Sequence, residues 1–204
     1  MRYYFNKSEY GTHQLIANEI GTGKKVLDVG CNTGYLKKLS AANEFYGLDF
    51  NKKYLKVAKA NGYEETYFSN LNQDTPPKIS EKFDVLVFAD VLEHLLDPSK
   101  VLRFFLKKNL TKNGLVIISL PNVANVLIRF KLLLGKFNYT ENGILDSSHL
   151  HLYTAATARK FISTSGLLVI KELASSNRFG RLFNILPSLR RLLGHSLIFI
   201  CKVA

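Results

Sequence analysis

Apolar residues along this chain gather in short runs rich in β-branched and aromatic side chains, separated by stretches with helical spacing. The runs fall at 25–30 (KVLDVG), 44–50 (EFYGLDF), 64–69 (EETYFS), 83–89 (FDVLVFA), 114–120 (GLVIISL), 167–173 (LLVIKEL) and 196–203 (SLIFICKV). Helical patterns occupy 34–42, 52–61, 98–108 and 154–165, and a further one, about 8–20, precedes the first run. Strands alternating with helices imply βαβ units and a mostly parallel sheet. Unbroken apolar stretches such as VLVFA and LVIISL suit strands covered on both faces. The predicted fold is an α/β three-layer sandwich.

Two stretches break the alternation. Residues 122–135 (NVANVLIRFKLLLG) predict a very apolar helix with Arg129 and Lys131 interposed, and 136–153 predict an irregular loop. The reading is one domain over residues 1–204, with a lid-like insertion at about 122–153 after the fifth strand, where a doubly wound fold opens its binding crevice.

Composition adds limits. A 47% hydrophobic and 22% charged chain of 204 residues is ordinary for a globular domain, which argues against wholesale disorder. No apolar run approaches the roughly 18–20 residues of a membrane span, and the N-terminal MRYYFNKSEYGTHQ lacks a signal-peptide core. Cys31 and Cys201 stand too far apart in sequence to suggest a disulfide framework or a zinc site. A cytoplasmic protein is the expectation. Charge is distributed unevenly. Residues 1–100 carry 13 Lys/Arg against 13 Asp/Glu, whereas 101–204 carry 15 against only three (Glu141, Asp146, Glu172), so the whole net charge of +12 belongs to the second half. That half is expected to face something anionic.

The strongest chemical signal is VLDVGCNTG, where the first strand gives way to a helix. Its G-x-N-x-G spacing, Gly30 to Gly34, is not the three-glycine dinucleotide fingerprint. Glycine still lets the backbone approach a ligand closely, the following helix offers free N–H groups, and Asn32 tolerates left-handed geometry. Asp49 follows Asp28 by 21 residues, at the end of the next strand, where a carboxylate can accept hydrogen bonds from both ribose hydroxyls. The combination predicts a nucleoside-binding crevice.

Together with FDVLVFADVLEHLLDP (83–98), NGLVIISLPN (113–122) and SSHLHLYTAATARKFISTSGL (147–167), these segments resemble the class I S-adenosylmethionine (SAM)-dependent methyltransferases, in particular the ubiquinone-biosynthesis O-methyltransferases. The resemblance implies a doubly wound, Rossmann-like sheet of seven strands, mostly parallel, with the last strand antiparallel. It also implies roles in SAM binding. Asp28, Gly30, Cys31, Asn32 and Gly34 would meet the methionine part, Asp49 the ribose, Phe50 the adenine face, and Asn70 and Leu71 the adenine edge. Ala89, Asp90 and Val91 would line the pocket near the sulfonium. Asn32 and Asn70 depart from the commoner Gly and Asp.

SAM supplies its own electrophile, so the protein has to align a nucleophile and take up its proton. His94, just after the fourth strand, and His149, in the insertion, are the candidate catalytic bases, with His151 beside them and Glu93 or Asp146 to orient one. His13 and His195 are expected to pack away from the sulfonium. Asp90, Glu93 and His94 also resemble a divalent-metal ligand set of some ubiquinone-pathway relatives, but Glu93 can equally start a helix, and the chain is read without a metal. The acceptor is read as a small molecule, glycan or lipid-linked metabolite methylated on oxygen. A nucleic-acid methyltransferase is the rival, favoured by the basic half but not by ADVLEH after the fourth strand, nor by a chain without Trp for base stacking. A non-catalytic SAM-binding protein is the other. Segments 123–136 and 177–194 mix apolar residues with Arg and Lys, so peripheral contact with an anionic membrane is a further expectation; Pro187 should break the second.

Overall fold

The computed structural model describes residues 8–176 and 179–204. Seven strands form one sheet: β1 (Lys25–Val29), β2 (Glu44–Asp49), β3 (Glu65–Phe68), β4 (Phe83–Ala89), β5 (Leu110–Pro121), β6 (Leu167–Ala174) and β7 (Ser196–Val203). Their order is β3-β2-β1-β4-β5-β7-β6. The β1–β2, β1–β4, β2–β3 and β4–β5 pairs are parallel, whereas β7 runs antiparallel to both β5 and β6. The fold is therefore the expected Rossmann-like sheet.

Alternation along each strand sorts its side chains to two faces. Val26, Val85, Val87, Ile117, Ile198 and Ile200 face Ile16 and Ile20 of α1 (Thr12–Ile20), Leu36 of α2 (Tyr35–Leu39) and Leu55 and Ala58 of α3 (Lys52–Ala60). Leu27, Leu86, Phe88, Ile118 and Phe199 face Val101, Leu102 and Phe105 of α4 (Pro98–Asn109) and Ala158 and Ile162 of α6 (Ala155–Thr164). Local signals explain the helix starts. Asn51 caps α3, Asp97 with Pro98 caps α4, and Thr154 and Thr157 form a reciprocal capping box on α6. One boundary differs from expectation. β5 begins at Leu110, which pairs with Phe83, before the register slips and Leu115 pairs with Val85. The polar residues Thr111–Gly114 conceal this early pairing from any apolar pattern.

Between β5 and α6 the chain makes an excursion containing α5 (Val126–Leu133), shorter than the 14-residue helix expected there. Its neck is closed: Val123 N–H donates to the Tyr153 carbonyl at 2.9 Å. Buried Asn122 donates through Nδ2 to the carbonyls of Arg191 and Gly194, both at 3.0 Å. Asn125 reaches the Gly194 carbonyl at 2.9 Å while its Oδ1 caps α5 through the Leu127 N–H. The second basic segment is broken as Pro187 predicts, into α7 (Leu182–Ile185), a 3₁₀ turn Pro187–Leu189 and α8 (Arg190–Leu193); Asn177 and Arg178 lie outside the described residues. Two of its described cations are engaged internally. Arg190 donates to the carbonyls of Glu172 and Phe183, and Arg191 pairs with the Glu172 carboxylate at 3.3 Å.

Candidate active site

The strand order reverses direction between β1 and β4, which opens a crevice at the carboxyl ends of these strands. β1 leaves through Gly30, Asn32 and Gly34, with φ of 80°, 49° and 78°. Close packing requires glycine as much as the backbone does. A Cβ on Gly30 would stand 2.9 Å from Val91 Cγ2, one on Gly34 2.7 Å from Tyr63 Cε2, and one on Gly47 2.6 Å from Cys31 Sγ. Tyr63 thus fills the space beneath the turn. Its hydroxyl donates to Asp28 Oδ2 at 2.6 Å. Burial pushes Asp28 up to about 7; the Tyr63 hydrogen bond opposes this and repulsion from Asp49 adds to it.

Asp49 ties the end of β2 to the turn. Its Oδ2 accepts from Asn32 N–H at 2.9 Å and its Oδ1 from Asn51 N–H at 2.8 Å. Burial raises its pKa against the backbone N–H groups of Asn51, Asn32 and Phe50. Beside it opens a cavity of about 580 Å³. Of the residues read as cofactor contacts, Asp28, Gly30, Cys31 and Asn32 line it from the turn, Asp49 and Phe50 from β2, Asn70 and Leu71 after β3, and Ala89, Asp90 and Val91 from β4. Gly34 does not line it; it faces Tyr63. His13 does line it, contrary to the expectation that it packs elsewhere. Burial lowers its pKa, opposed by nearby Asp90. Nothing in α1's sequence distinguishes His13 from a packing residue, because only the fold brings α1 to the crevice.

His94, in the 3₁₀ turn Leu92–His94, closes the far end with Leu95, Ser148 and Leu150. Its Nδ1 lies 3.2 Å from the Ser148 carbonyl and 3.1 Å from Ser148 Oγ, which itself donates to Asp146 Oδ1 at 2.5 Å. A carbonyl only accepts, so Nδ1 carries the proton and Nε2 is the basic atom. His149 stands behind His94, outside the cavity lining, with ring centroids 4.8 Å apart. Its Nδ1 donates to the Ile144 carbonyl at 3.1 Å, which leaves its Nε2 as a lone pair 3.9 Å from Glu93 Oε1. Burial, then His94, lowers the His149 pKa. Glu93 is fully buried, and neither carboxyl oxygen has a hydrogen-bond partner among the described residues. Burial, then repulsion from Asp90 and Asp146, raises its pKa well above the usual range. Ligand atoms of Glu93, His94 and His149 lie within 4.8 Å of one another. The grouping differs from the set read in sequence. Asp90 instead accepts from Ser119 Oγ at 2.7 Å, and His149 takes the third place. His151 is held apart, its Nε2 2.9 Å from the Leu95 carbonyl.

The sequence model of a methyltransferase domain family matches residues 20–178, most of the chain. The chain belongs to the SAM-dependent methyltransferases. Its methyl donor is SAM. The methyltransferase is 33% identical over 171 residues to a ubiquinone biosynthesis O-methyltransferase of Proteus mirabilis, an alignment that covers 79% of this chain and 66%, just under two thirds, of that relative. Among solved structures it is similar to magnesium protoporphyrin IX methyltransferase from Synechocystis with bound SAH (TM-score 0.62, 21% identity, 93% of this chain and 78% of that one). A small RNA methyltransferase, HEN1, superposes with TM-score 0.70 at 17% identity, over 100% of this chain and 26% of that one. At such identities the likeness is one of fold, and the fold is shared by proteins named for a porphyrin and for an RNA. The acceptor has to be argued from the site.

Proposed function

We propose that this methyltransferase moves the methyl group of SAM to an oxygen of a small phenolic, glycan or lipid-linked acceptor, with His94 as the base. The observation that carries this is His94 on the wall of the cavity that also holds the turn and Asp49. In this reading the cavity residues at the ends of β1, β2, β3 and β4 hold SAM, and the acceptor enters where His94, Leu95, Ser148 and Leu150 end the cavity. Ser148 and Asp146 keep Nδ1 of His94 protonated, so Nε2 is free to take a hydroxyl proton as the methyl group transfers. The single domain carries residues 122–153 as its lid, because Ser148 and Leu150 of that segment line the cavity. The name of the Proteus relative supports oxygen and a quinone-type acceptor. The protein works in the cytoplasm or at an anionic membrane surface, and nucleic acid is not its substrate. The test uses a phenolic acid with two adjacent hydroxyls. Asp49→Ala should weaken SAM binding, each lost charge-assisted hydrogen bond being worth about 1.5–3 kcal/mol. His94→Ala should leave calorimetric SAM affinity intact and cut turnover by about 10²- to 10⁴-fold. Unchanged turnover in a folded His94→Ala protein would reject the base.

A second reading, in which Nε2 of His94 is a ligand and not the base, is favoured by one observation, the buried Glu93 carboxyl facing two imidazoles. Both His94 and His149 are fixed through Nδ1 to carbonyls, as metal-ligating histidines usually are, so two lone pairs and an unsatisfied carboxyl converge. The set fits a divalent cation, held by Glu93, His94 and His149. When bound, such an ion would lower the pKa of an acceptor hydroxyl. Mn²⁺ titration should show one site, lost in Glu93→Gln, and EDTA should suppress turnover until Mg²⁺ or Mn²⁺ is restored. Equal Mn²⁺ binding by both proteins would reject it.

A further inference from the structure

The outer face of α4 is built from cations alone. Of its 12 residues only Lys100, Arg103, Lys107 and Lys108 are exposed. Helical spacing stacks Lys100, Arg103 and Lys107 on one side, three and four residues apart. None of the four has an ion-pair partner among the described residues. Like charges at this spacing repel one another. The helix macrodipole favours Lys107 and Lys108 in the last turn, but it disfavours a cation at Lys100 in the first. The fold therefore holds a self-repelling row that its own chain does not neutralise.

Beside the first turn of this helix lies a second cavity, of about 270 Å³, lined by Leu71, Pro76, Leu96, Val101 and Phe104 together with Lys100. Asp74 and Asp97 line it too, but each carboxylate is occupied: Asp74 accepts from Asn70 N–H and Asp97 from Lys100 N–H, both at 2.9 Å. We infer that the outer face of α4 and this pocket are a docking site for an acidic protein segment. One apolar side chain of the partner would fill the pocket, and its carboxylates would meet Lys100, Arg103 and Lys107. An apolar anchor in a pocket with charges beside it gives both affinity and register. Charge complementarity selects an acid, and the form of the surface selects a protein. A lipid surface would need apolar side chains pointing outward, and α4 exposes none. A nucleic-acid strand would need an aromatic platform open to its bases, whereas Phe104 is half-buried against Phe105, ring centroids 5.3 Å apart. One cation per helical turn matches carboxylates repeating along a facing helix.

The pocket adjoins the crevice. Leu71 and Asn72 line both cavities. Asn72 Nδ2 donates to the His94 carbonyl at 2.9 Å and its Oδ1 accepts from Leu96 N–H at 2.7 Å, so one side chain stands as the partition. A segment seated on α4 would therefore lie beside the end proposed to receive the acceptor, in place to present an acceptor that the partner carries. This last step rests on the acceptor reading above; the docking itself does not.

Fluorescence anisotropy with the full chain tests it, the probe being a labelled helical peptide of Glu and Ala with one central Phe. Binding is expected, and should weaken as NaCl rises. Replacing the peptide's Phe by Ala should weaken it severalfold, and Lys100→Glu/Arg103→Glu in the protein at least about tenfold. Lys53→Glu/Lys56→Glu makes the same change of net charge on α3, which packs on the other face of the sheet, and should leave affinity within about twofold. Lys100→Glu/Arg103→Glu should keep wild-type SAM affinity by calorimetry, which separates lost docking from lost folding. No binding of the peptide, equal loss in both charge-reversed proteins, or indifference to the Phe would each overturn the proposal. So would tighter binding of a single-stranded oligonucleotide of equal charge, which would make a nucleic acid the occupant. Binding to anionic vesicles that is lost in Lys100→Glu/Arg103→Glu would likewise overturn it in favour of a lipid surface. Peptide docking by a protein that methylates no acceptor would leave the docking site standing and remove the catalytic reading.

Discussion

Asp28 and Tyr63 set much of the chemistry beneath the cofactor turn. The carboxyl is buried and accepts one short hydrogen bond, and its pKa rises from an ordinary 3.8 to about 7. The folded state therefore holds this proton more tightly than the unfolded state. The resulting stability is fully present below about pH 4 and is lost as pH rises toward 7. At about 1.4 kcal/mol per unit the span is on the order of a few kcal/mol. Asp28→Asn keeps an acceptor for the Tyr63 hydroxyl but cannot ionise. Urea midpoints should fall less steeply between pH 4.5 and 7.5 in the variant than in the wild type, with the two proteins differing most at the upper end. Parallel pH profiles would show that Asp28 ionises freely in the fold. Asp28 itself stood out in the sequence through the turn that follows it. Tyr63 did not, because its role comes from filling the space that Gly34 and Gly47 leave open, and no spacing rule connects those three positions. His13 was hidden for the same reason.

The secondary elements were legible where a face is buried. β4 and β7 begin and end where their apolar runs do, and α3, α4 and α6 agree within a residue because capping groups fix their starts. The insertion was legible only as an interruption. Its shape depends on Asn122 and Asn125, two buried amides that bind carbonyls about 70 residues away and that resemble any loop asparagine in sequence. Their function at this scale is to fasten the neck of 122–153 to the end of α8. Asn122→Ala would leave the Arg191 carbonyl without that donor, at a cost of about 1–3 kcal/mol. In a chain of this length that corresponds to a melting temperature lower by about 2–12 °C. The loss should be local. Hydrogen exchange is expected to quicken across 123–153 while the strands and SAM affinity hold. Uniform exchange changes throughout the sheet would mean that the amide supports the whole fold and not the insertion.

At the scale of the molecule, charge and strand order divide labour in a consistent way. In the proposed reading the donor end of the crevice is built by β1, β2, β3 and β4, all within the first 100 residues, where basic and acidic groups balance. The second half adds 15 cations against three anions, and one of those anions, Glu172, already pairs with Arg159 and Arg191. The excess field therefore belongs to the part of the chain that supplies Ser148 and Leu150 to the cavity, at the end proposed to receive the acceptor. Such a field raises the local concentration of an anionic acceptor and acts over distances that salt shortens, from about 10 Å at 0.1 M to 3 Å at 1 M. SAM, in contrast, is read as held by short contacts to Asp49 and the turn, which salt screens little. Raising NaCl from 0.05 to 0.5 M should increase KM for a phenolic acid by about threefold or more, with kcat and the KM for SAM changing less than about twofold. A neutral phenol of the same ring should show no such rise. If the neutral and charged acceptors respond alike, the basic half serves a surface other than the active site.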